Sequence, residues 1–115
     1  MNKRGDLEYL YDIKESIELI LEYVKDTSQN EFKNNQEKQD AVVNRMNVIG
    51  EATKNLSQEI RDNYPDIPWK RMAGMRDVLI HQYHGIDLEV VWQTINQELP
   101  EVGQRIGQII EELEG

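Results

Sequence analysis

The fold is decided by residues 7–24, LEYLYDIKESIELILEYV. Apolar side chains recur in this stretch at steps of three and four positions, which is the spacing of one face of an α-helix. The acidic residues between them form the opposite, solvated face. The apolar face consists of Leu7, Leu10, Tyr11, Ile17, Ile20, Leu21 and Val24, with Lys14 filling one turn. The pattern predicts a long amphipathic helix near the start of the chain.

A second helix is predicted from about Gln36 to Leu56. The polar stretch 27–30 interrupts the pattern before it, because short polar side chains compete for backbone hydrogen bonds. Phe32, the only phenylalanine, is predicted to anchor this connection on the core. The buried stripe of the second helix is predicted to be Val42, Met46, Ile49, Ala52 and Leu56.

A short helix follows, from Gln58 to about Asn63, with Ser57 as its N-cap. The stretch 64–68, YPDIP, ends it because each proline disfavours helical geometry in the residue before it. Pro68 suits the first turn of the next helix, where a missing N–H costs little. That helix is predicted to reach about Tyr83. Its inward side chains are Trp69, Met72, Leu79 and Ile80.

The last helical pattern runs from Leu88 to Leu113, after a stop at Gly85 and a cap at Asp87. Pro100 lies inside it and predicts a break near Glu98–Leu99. No stretch indicates a strand. The sequence therefore predicts an all-α fold, an antiparallel bundle of four to five helices, in a single domain over residues 1–115.

Composition excludes several classes of protein. The chain has 115 residues, a formal charge of −9 and no cysteine, so disulfides and thiolate metal sites are excluded. No apolar run approaches the roughly 20 residues that span a bilayer. The N-terminal stretch turns acidic where a signal peptide would be apolar. We expect a cytoplasmic protein with no membrane partner.

Charge is segregated along the chain. Residues 6–26 carry seven acidic side chains against two lysines, whereas residues 68–86 carry three basic side chains against one acid, together with both histidines. An acidic surface disfavours non-specific binding of nucleic acid, which depends on many contacts between cations and phosphates. Chemistry on an anionic substrate is therefore expected in the basic stretch.

Two glycines, Gly50 and Gly74, lie inside helical patterns, where each costs about 1 kcal/mol relative to alanine. We expect them at close approaches, either between helices or between subunits.

The segment 75–85, MRDVLIHQYHG, concentrates the groups that carry chemistry. The guanidinium of Arg76 matches a phosphate and stays charged at any working pH. His81 titrates near neutrality and can take or give a proton. Together they suit RNA cleavage without a metal, with His81 moving protons and Arg76 stabilising charge on the phosphorus oxygens. A purely structural arginine–aspartate pair and helix-terminal histidine remain the alternative.

Helix geometry constrains this site. At about 100° per residue, Arg76 and Tyr83 lie about 20° apart around the helix axis, but Arg76 and His81 lie about 140° apart. A straight helix does not aim both groups at one phosphate. Either a π-type turn distorts the helix, or a second subunit completes the site in a symmetric homodimer, which we favour.

The residues Arg76, His81 and Tyr83 match the Arg-x4-His-x-Tyr pattern of HepT-like proteins, a branch of the HEPN superfamily. The flanking segments 47–52, 67–69 and 72–75, together with residues 83–87, also resemble that family. The similarity extends from about Leu7 to Leu113 and supports a HEPN-like bundle.

The resemblance implies a homodimeric, metal-independent ribonuclease that acts as the toxin of a toxin–antitoxin pair. In the family, the arginine and histidine of the motif are catalytic, and here they are Arg76 and His81. Asp77 occupies a position that is commonly small and polar, and we interpret it as orienting Arg76 or His81. The implied partner is a minimal nucleotidyltransferase antitoxin, which in some systems adds AMP to the motif tyrosine, here Tyr83. No cofactor is implied.

Weaker candidates surround the motif. Lys70 and Arg71 either guide RNA towards the site or form a solvated helix start. His81 and His84 are spaced for one helical face, but with no cysteine and no third histidine we do not predict a metal site. Trp69 and Trp92 fall in phase with apolar neighbours and are predicted to be core residues.

Two functions stay open on the sequence alone. One is an endoribonuclease toxin, of the type VII class of toxin–antitoxin systems, that is neutralised by modification of Tyr83. The other is a non-catalytic helical subunit that binds a nucleotide or the nucleotidyltransferase. The net charge of −9 favours the second, and the motif with its flanks favours the first.

Overall fold

A computed structural model describes residues 3–81 and 87–115, with side chains for residues 5–75 and 87–115. Those ranges contain helices and no strand, which confirms the all-α prediction. The helices are α1 (Lys3–Val24), α2 (Gln29–Lys33), α3 (Gln36–Asn55), α4 (Gln58–Asn63), α5 (Trp69–His81), α6 (Leu88–Gln97) and α7 (Leu99–Glu114).

The long helices form a bundle in which α1 packs between α3 and α7, α3 packs against α5, and α6 packs against α7. Tyr11 contacts Glu114, whereas Ile17, farther along α1, contacts Gly103, earlier in α7. The two helices therefore run antiparallel. The helices α1 and α3 also run antiparallel, as two contacts between their ends show. The fold is an antiparallel helical bundle, as predicted.

A buried polar contact joins the start of α1 to the end of α3. The Asp6 carboxylate accepts hydrogen bonds from the backbone N–H of Ser57 at 2.8 Å and from its hydroxyl at 2.7 Å. At the other end, the Lys38 ammonium donates to the carbonyl oxygen of Tyr23 at 2.7 Å. These two contacts hold α1 and α3 antiparallel, because each joins one end of α1 to the opposite end of α3.

The buried stripe of α1 differs from the predicted one. Ile13 has no exposed surface, and Tyr11 is 44% exposed. The stripe follows Leu10, Ile13, Ile17, Ile20 and Val24, so the predicted inward position of Tyr11 is wrong. The physical reason is that Tyr11 faces the far end of α7, where its hydroxyl donates to Glu114 at 2.7 Å.

Capping determines most helix boundaries. Ser57 caps α4 by accepting from the N–H of Ile60, and Asp87 caps α6 by accepting from two backbone N–H groups, as predicted. The predicted break at Glu98–Leu99 is confirmed. The helix α2 was not predicted. Its signal is the sequence Ser28-Gln29-Asn30-Glu31, in which Ser28 and Glu31 form a reciprocal capping box.

Aromatic residues pack on the core in two places, at α2 and at the start of α5. Phe32 has no exposed surface and lies 5.4 Å, between ring centroids, from half-buried Trp92. Trp69 is 6% exposed, and its indole N–H donates to the carbonyl oxygen of Tyr64 at 2.9 Å. The predicted core roles of Phe32, Trp69 and Trp92 are confirmed. The side chains of Leu79 and Ile80, and the whole of Gly85, lie outside the described residues.

The close helix approach occurs at a glycine that was not predicted. Among the described residues, a Cβ on Gly74 would meet nothing within 4 Å, so the expected close approach between helices there is wrong. The alternative, a close approach between subunits, stays a prediction. A Cβ on Gly103 would lie 2.9 Å from Cγ2 of Ile17. Gly103 thus allows α7 to pack closely on α1. Gly50 is buried in α3.

In the part of the chain that the structure covers, none of the helices combines the length and the apolar character needed to cross a bilayer.

Candidate active site

The helix α5 carries the basic motif, and its first half is fixed in the core. The residue before it, Pro68, accepts a backbone hydrogen bond from the N–H of Met72 at 3.0 Å. Met72 is 1% exposed. Trp69 and Met72 therefore fix the first turn of α5 in the core, directly before the segment that carries Arg76 and His81.

Three of the predicted site residues, Arg76, Asp77 and His81, lie in the second half of α5. Their side chains are outside the part of the protein that the structure describes, as is the whole of Tyr83. Their catalytic, supporting and AMP-acceptor roles therefore stay predictions.

The backbone between Arg76 and His81 is α-helical throughout, with no π-type turn. The two positions therefore remain about 140° apart around the axis of α5. Of the two arrangements that the sequence left open, distortion of the helix between these residues is not found. Completion of the site by a second subunit stays a prediction.

The family-like segment 47–52 lies in α3, which packs against α5. Ile49, Gly50 and Ala52 are buried in the core. Within the described part of the chain, the side-chain carbonyl oxygen Oδ1 of Asn47 is buried and has no hydrogen-bond partner. An unpaired buried acceptor costs about 1–3 kcal/mol. The sequence pattern did not reveal that the side chain of Asn47 has a buried acceptor.

The predicted RNA-guiding residues lie at the start of α5. Lys70 is exposed. The guanidinium of Arg71 forms an ion pair with the carboxylate of Glu98, at the junction of α6 and α7. The two side chains are 67% and 32% exposed. Arg71 is thus paired with an acid, whereas the RNA-guiding role of Lys70 and Arg71 stays a prediction.

A second ion pair holds the segment that leads into α5. Arg105 of α7 donates to Oδ2 of Asp66 at 2.7 Å, and its guanidinium carbon lies 5.4 Å from the centroid of the Tyr64 ring. The hydrogen bond from Arg105 lowers the pKa of Asp66 below its ordinary value of 3.8. The same bond raises the pKa of Arg105. Desolvation, together with a hydrogen bond to Glu112, raises the pKa of Tyr64.

The charges are segregated in the fold as they are in the sequence. The adjacent helices α1 and α7 together carry ten acidic and four basic side chains, whereas α5 carries three basic and one acidic. In the packing order, α3 lies between α5 and α1. The net positive charge of α5 lowers the electrostatic cost of bringing an anionic substrate to it, and Arg71 at its start also contacts Glu98 beside α7.

No group of three or more candidate metal ligands occurs among the described residues. The side chain of His81 and the whole of His84 lie beyond them. The histidine site that the sequence disfavoured therefore lies outside the described residues.

Comparison with known proteins identifies the family. The family model described as "Ribonuclease HepT-like" matches residues 13–109, a range that includes the whole motif. "Putative RNase MJ1216" of Methanocaldococcus jannaschii is 45% identical over 115 residues, covering 100% of this chain and 95% of that protein. "Probable ribonuclease HepT" of Thermococcus cleftensis is 42% identical over 98 residues, covering 85% and 89%.

A bacterial relative, "Putative RNase TTE0752" of Caldanaerobacter subterraneus subsp. tengcongensis, is 39% identical over 103 residues, covering 90% of this chain and 92% of that protein. No solved structure gives a significant match. The range matched by the family model includes α5 and the positions of Arg76 and His81. The chain therefore belongs to the ribonuclease HepT-like family of the HEPN superfamily.

Proposed function

We propose that this protein is a metal-independent endoribonuclease, the toxin of a toxin–antitoxin pair. The observation that carries the proposal is the position of the motif. Arg76 and His81 lie in one basic helix, within the range matched by the ribonuclease HepT-like family. The relatives named as RNases support the same activity.

The proposed chemistry divides the reaction between two side chains. His81 transfers protons at the ribose 2′-hydroxyl or at the leaving oxygen. Arg76 holds the phosphate and stabilises the charge that develops on its oxygens. Asp77 orients Arg76 or His81. Each step uses groups on this chain and requires no metal ion.

The proposed active unit is a homodimer. Because α5 remains α-helical between Arg76 and His81, one straight helix turns these two groups away from each other. Two copies related by a two-fold axis would bring Arg76 of one subunit near His81 of the other. A shared site of this kind accounts for the spacing of the motif without distorting the helix.

The proposed antitoxin is a minimal nucleotidyltransferase that transfers AMP to Tyr83. By sequence, Tyr83 lies seven positions after Arg76, close to two full helical turns. A phosphodiester charge added there would occupy the Arg76 guanidinium and exclude the phosphate of RNA. The modification would therefore inhibit the toxin directly.

The second candidate function is a non-catalytic subunit that binds a nucleotide or the nucleotidyltransferase. The net charge of −9 favours it, because an RNA enzyme of this charge repels its substrate at long range. The net positive charge of α5, which carries three basic side chains against one acid, reduces the force of this objection.

The deciding experiment is cleavage of purified tRNA and of a generic messenger RNA in the presence of EDTA. The parent protein is compared with Arg76→Ala, His81→Ala and the control Lys25→Ala, whose exposed side chain lies in the loop after α1. Circular dichroism checks that all four fold. We expect cleavage by the parent and by Lys25→Ala, and a loss of roughly 10²–10⁴-fold in rate for His81→Ala.

Mass spectrometry must show Tyr83 to be unmodified in the assayed protein. Absence of cleavage by that unmodified protein would contradict the proposal and favour the binding subunit. Equal cleavage by the parent and by both motif variants would remove Arg76 and His81 from the site.

A further inference from the structure

A small apolar cavity adjoins the motif helix. It has a volume of about 230 Å³ and lies between α3, α5 and α6, where Met46, Met75 and Val91 form part of its wall. Met75 directly precedes Arg76 in α5. The cavity is smaller than the roughly 300–1,000 Å³ of sites for drug-sized ligands. Its position and size suit a single planar group attached to a substrate held at the motif.

The walls offer the contacts that an aromatic ring prefers. Met46 is 2% exposed and Val91 is 5% exposed, so both present fixed apolar surface. Val90, at the mouth, is 49% exposed. The thioether sulfurs of Met46 and Met75 are polarisable and make favourable contacts with aromatic rings. A flat heteroaromatic ring would bury apolar surface here that is otherwise open to water.

One end of the cavity is polar. The ion pair between Arg71 and Glu98 lines this cavity and also lines a neighbouring polar cavity of about 450 Å³, so the pair forms the boundary between them. Arg71 has five N–H donors and Glu98 has two acceptor oxygens. The pair can therefore remain joined and still present a donor and an acceptor side by side to a ring in the apolar cavity.

We infer that this cavity binds a guanine base of the RNA strand next to the scissile phosphate. Glu98 accepts hydrogen bonds from N1–H and the 2-amino group of the base, and Arg71 donates to O6. Met46 and Met75 contact the ring. This inference rests on the proposed ribonuclease activity and specifies the substrate sequence that it selects.

The other bases fit the pair less well. Adenine presents an acceptor at N1 and lacks the 2-amino group, so the Glu98 carboxylate would face a lone pair. Uracil offers one N–H donor between two acceptors, and cytosine has an acceptor at N3 in place of that donor. A site that hydrogen-bonds a particular group rejects analogues that lack it. We expect a preference for guanine of at least about tenfold, since the pair is partly exposed and not fully desolvated.

The binding test uses protein labelled with ¹³C at the methionine methyl groups. The chain has four methionines, and buried Met72 serves as an internal reference. The nucleotides 5′-GMP, 5′-IMP, 5′-AMP and 5′-UMP are titrated separately. We expect 5′-GMP to shift the Met46 and Met75 resonances more than that of Met72, with a Kd at least about tenfold lower than that of 5′-AMP.

Two substitutions separate recognition of the guanine base from the general effect of removing a negative charge. Glu98→Gln removes the carboxylate and is expected to abolish the preference for 5′-GMP over 5′-IMP and 5′-AMP. Glu101→Gln is the matched control, because Glu101 lines the polar cavity and not the apolar one. Equal shifts with all four nucleotides, or a preference unchanged in Glu98→Gln, would overturn the inference. If the Met46 and Met75 resonances shifted with protein concentration but not with added nucleotide, the cavity would bind a second copy of the chain. That result would also overturn the inference.

Cleavage mapping keeps this inference separate from the proposed function. RNA oligonucleotides with a single guanosine are compared with matched ones carrying inosine or adenosine at that position. Cleavage that needs Arg76 and His81 but ignores the guanosine would refute the guanine site and leave the ribonuclease intact. Selective binding of 5′-GMP by a protein that cleaves no RNA would refute the ribonuclease and leave a guanine nucleotide site on a binding subunit.

Discussion

Asp6 and Ser57 are 51 positions apart in the chain, yet they share two buried hydrogen bonds. Asp6 is 6% exposed and Ser57 is 5% exposed. Ser57 also accepts a hydrogen bond from the backbone N–H of Ile60, at 3.3 Å, as the N-cap of α4. One carboxylate thus ties the start of α1 to the connection between α3 and α4, from which the chain proceeds to α5.

We predict that Asp6→Ala destabilises the protein by about 2–3 kcal/mol, because it leaves the N–H and the hydroxyl of Ser57 buried without an acceptor. The measurement is the midpoint of urea denaturation. Glu15→Ala, on the exposed face of the same helix, is the control and should change stability by less than about 0.5 kcal/mol. Equal effects of the two substitutions would show that the Asp6–Ser57 contact contributes nothing specific.

We predict that alanine at two helical glycines has opposite effects. Gly103→Ala brings a Cβ to 2.9 Å from Cγ2 of buried Ile17 and should destabilise by about 1–3 kcal/mol. Gly74→Ala meets open space and should stabilise by about 0.5–1 kcal/mol, since alanine loses less backbone entropy in a helix. Thermal denaturation measures both. Destabilisation by Gly74→Ala, growing with protein concentration, would instead reveal a subunit contact at α5.

We predict that the Asp66–Arg105 pair contributes a small, acid-sensitive part of the stability. Because Arg105 lowers the pKa of folded Asp66, the contribution is present above the ordinary value of 3.8 and is lost as pH falls through the lower folded value. The parent should therefore be slightly more stable than Asp66→Asn at neutral pH. The difference should vanish in acid and shrink in high salt, since Asp66 is 52% exposed.

The check is urea denaturation of both proteins from pH 2 to pH 7. A difference that grows as the pH falls would contradict the assignment of the shift to Arg105.

We predict that Tyr83→Phe cleaves RNA at the rate of the parent but escapes inhibition by the nucleotidyltransferase. The substitution removes only the hydroxyl that would accept AMP. Both proteins are incubated with the nucleotidyltransferase and ATP, and intact-mass spectrometry then counts added AMP. Tyr64→Phe is the matched control and should still be modified, because its tyrosine lies outside the motif. An AMP adduct on Tyr83→Phe would show that another residue is the acceptor.

The sequence predicted the helices well where local chemistry sets their ends. Ser57 and Asp87 cap helices by bonds to residues two or three positions away, and Pro100 ends α6 by its missing N–H. The sequence analysis did not predict α2, although the capping box formed by Ser28 and Glu31 is as local as the caps at Ser57 and Asp87. The motif Arg76, His81 and Tyr83 was also visible in the sequence, because its three residues lie within one short stretch of the chain.

Contacts between distant residues were decided only by the tertiary structure. The spacing of apolar residues in α1 allows either Tyr11 or Ile13 on the buried face. The packing of α1 against α3 and α7 buries Ile13 and leaves Tyr11 exposed. The packing of Gly103 on Ile17 and the pairing of Arg71 with Glu98 depend on helices that are far apart in the chain. Hydrophobic spacing and capping act over one or two helical turns, whereas these contacts exist only once the helices have packed together.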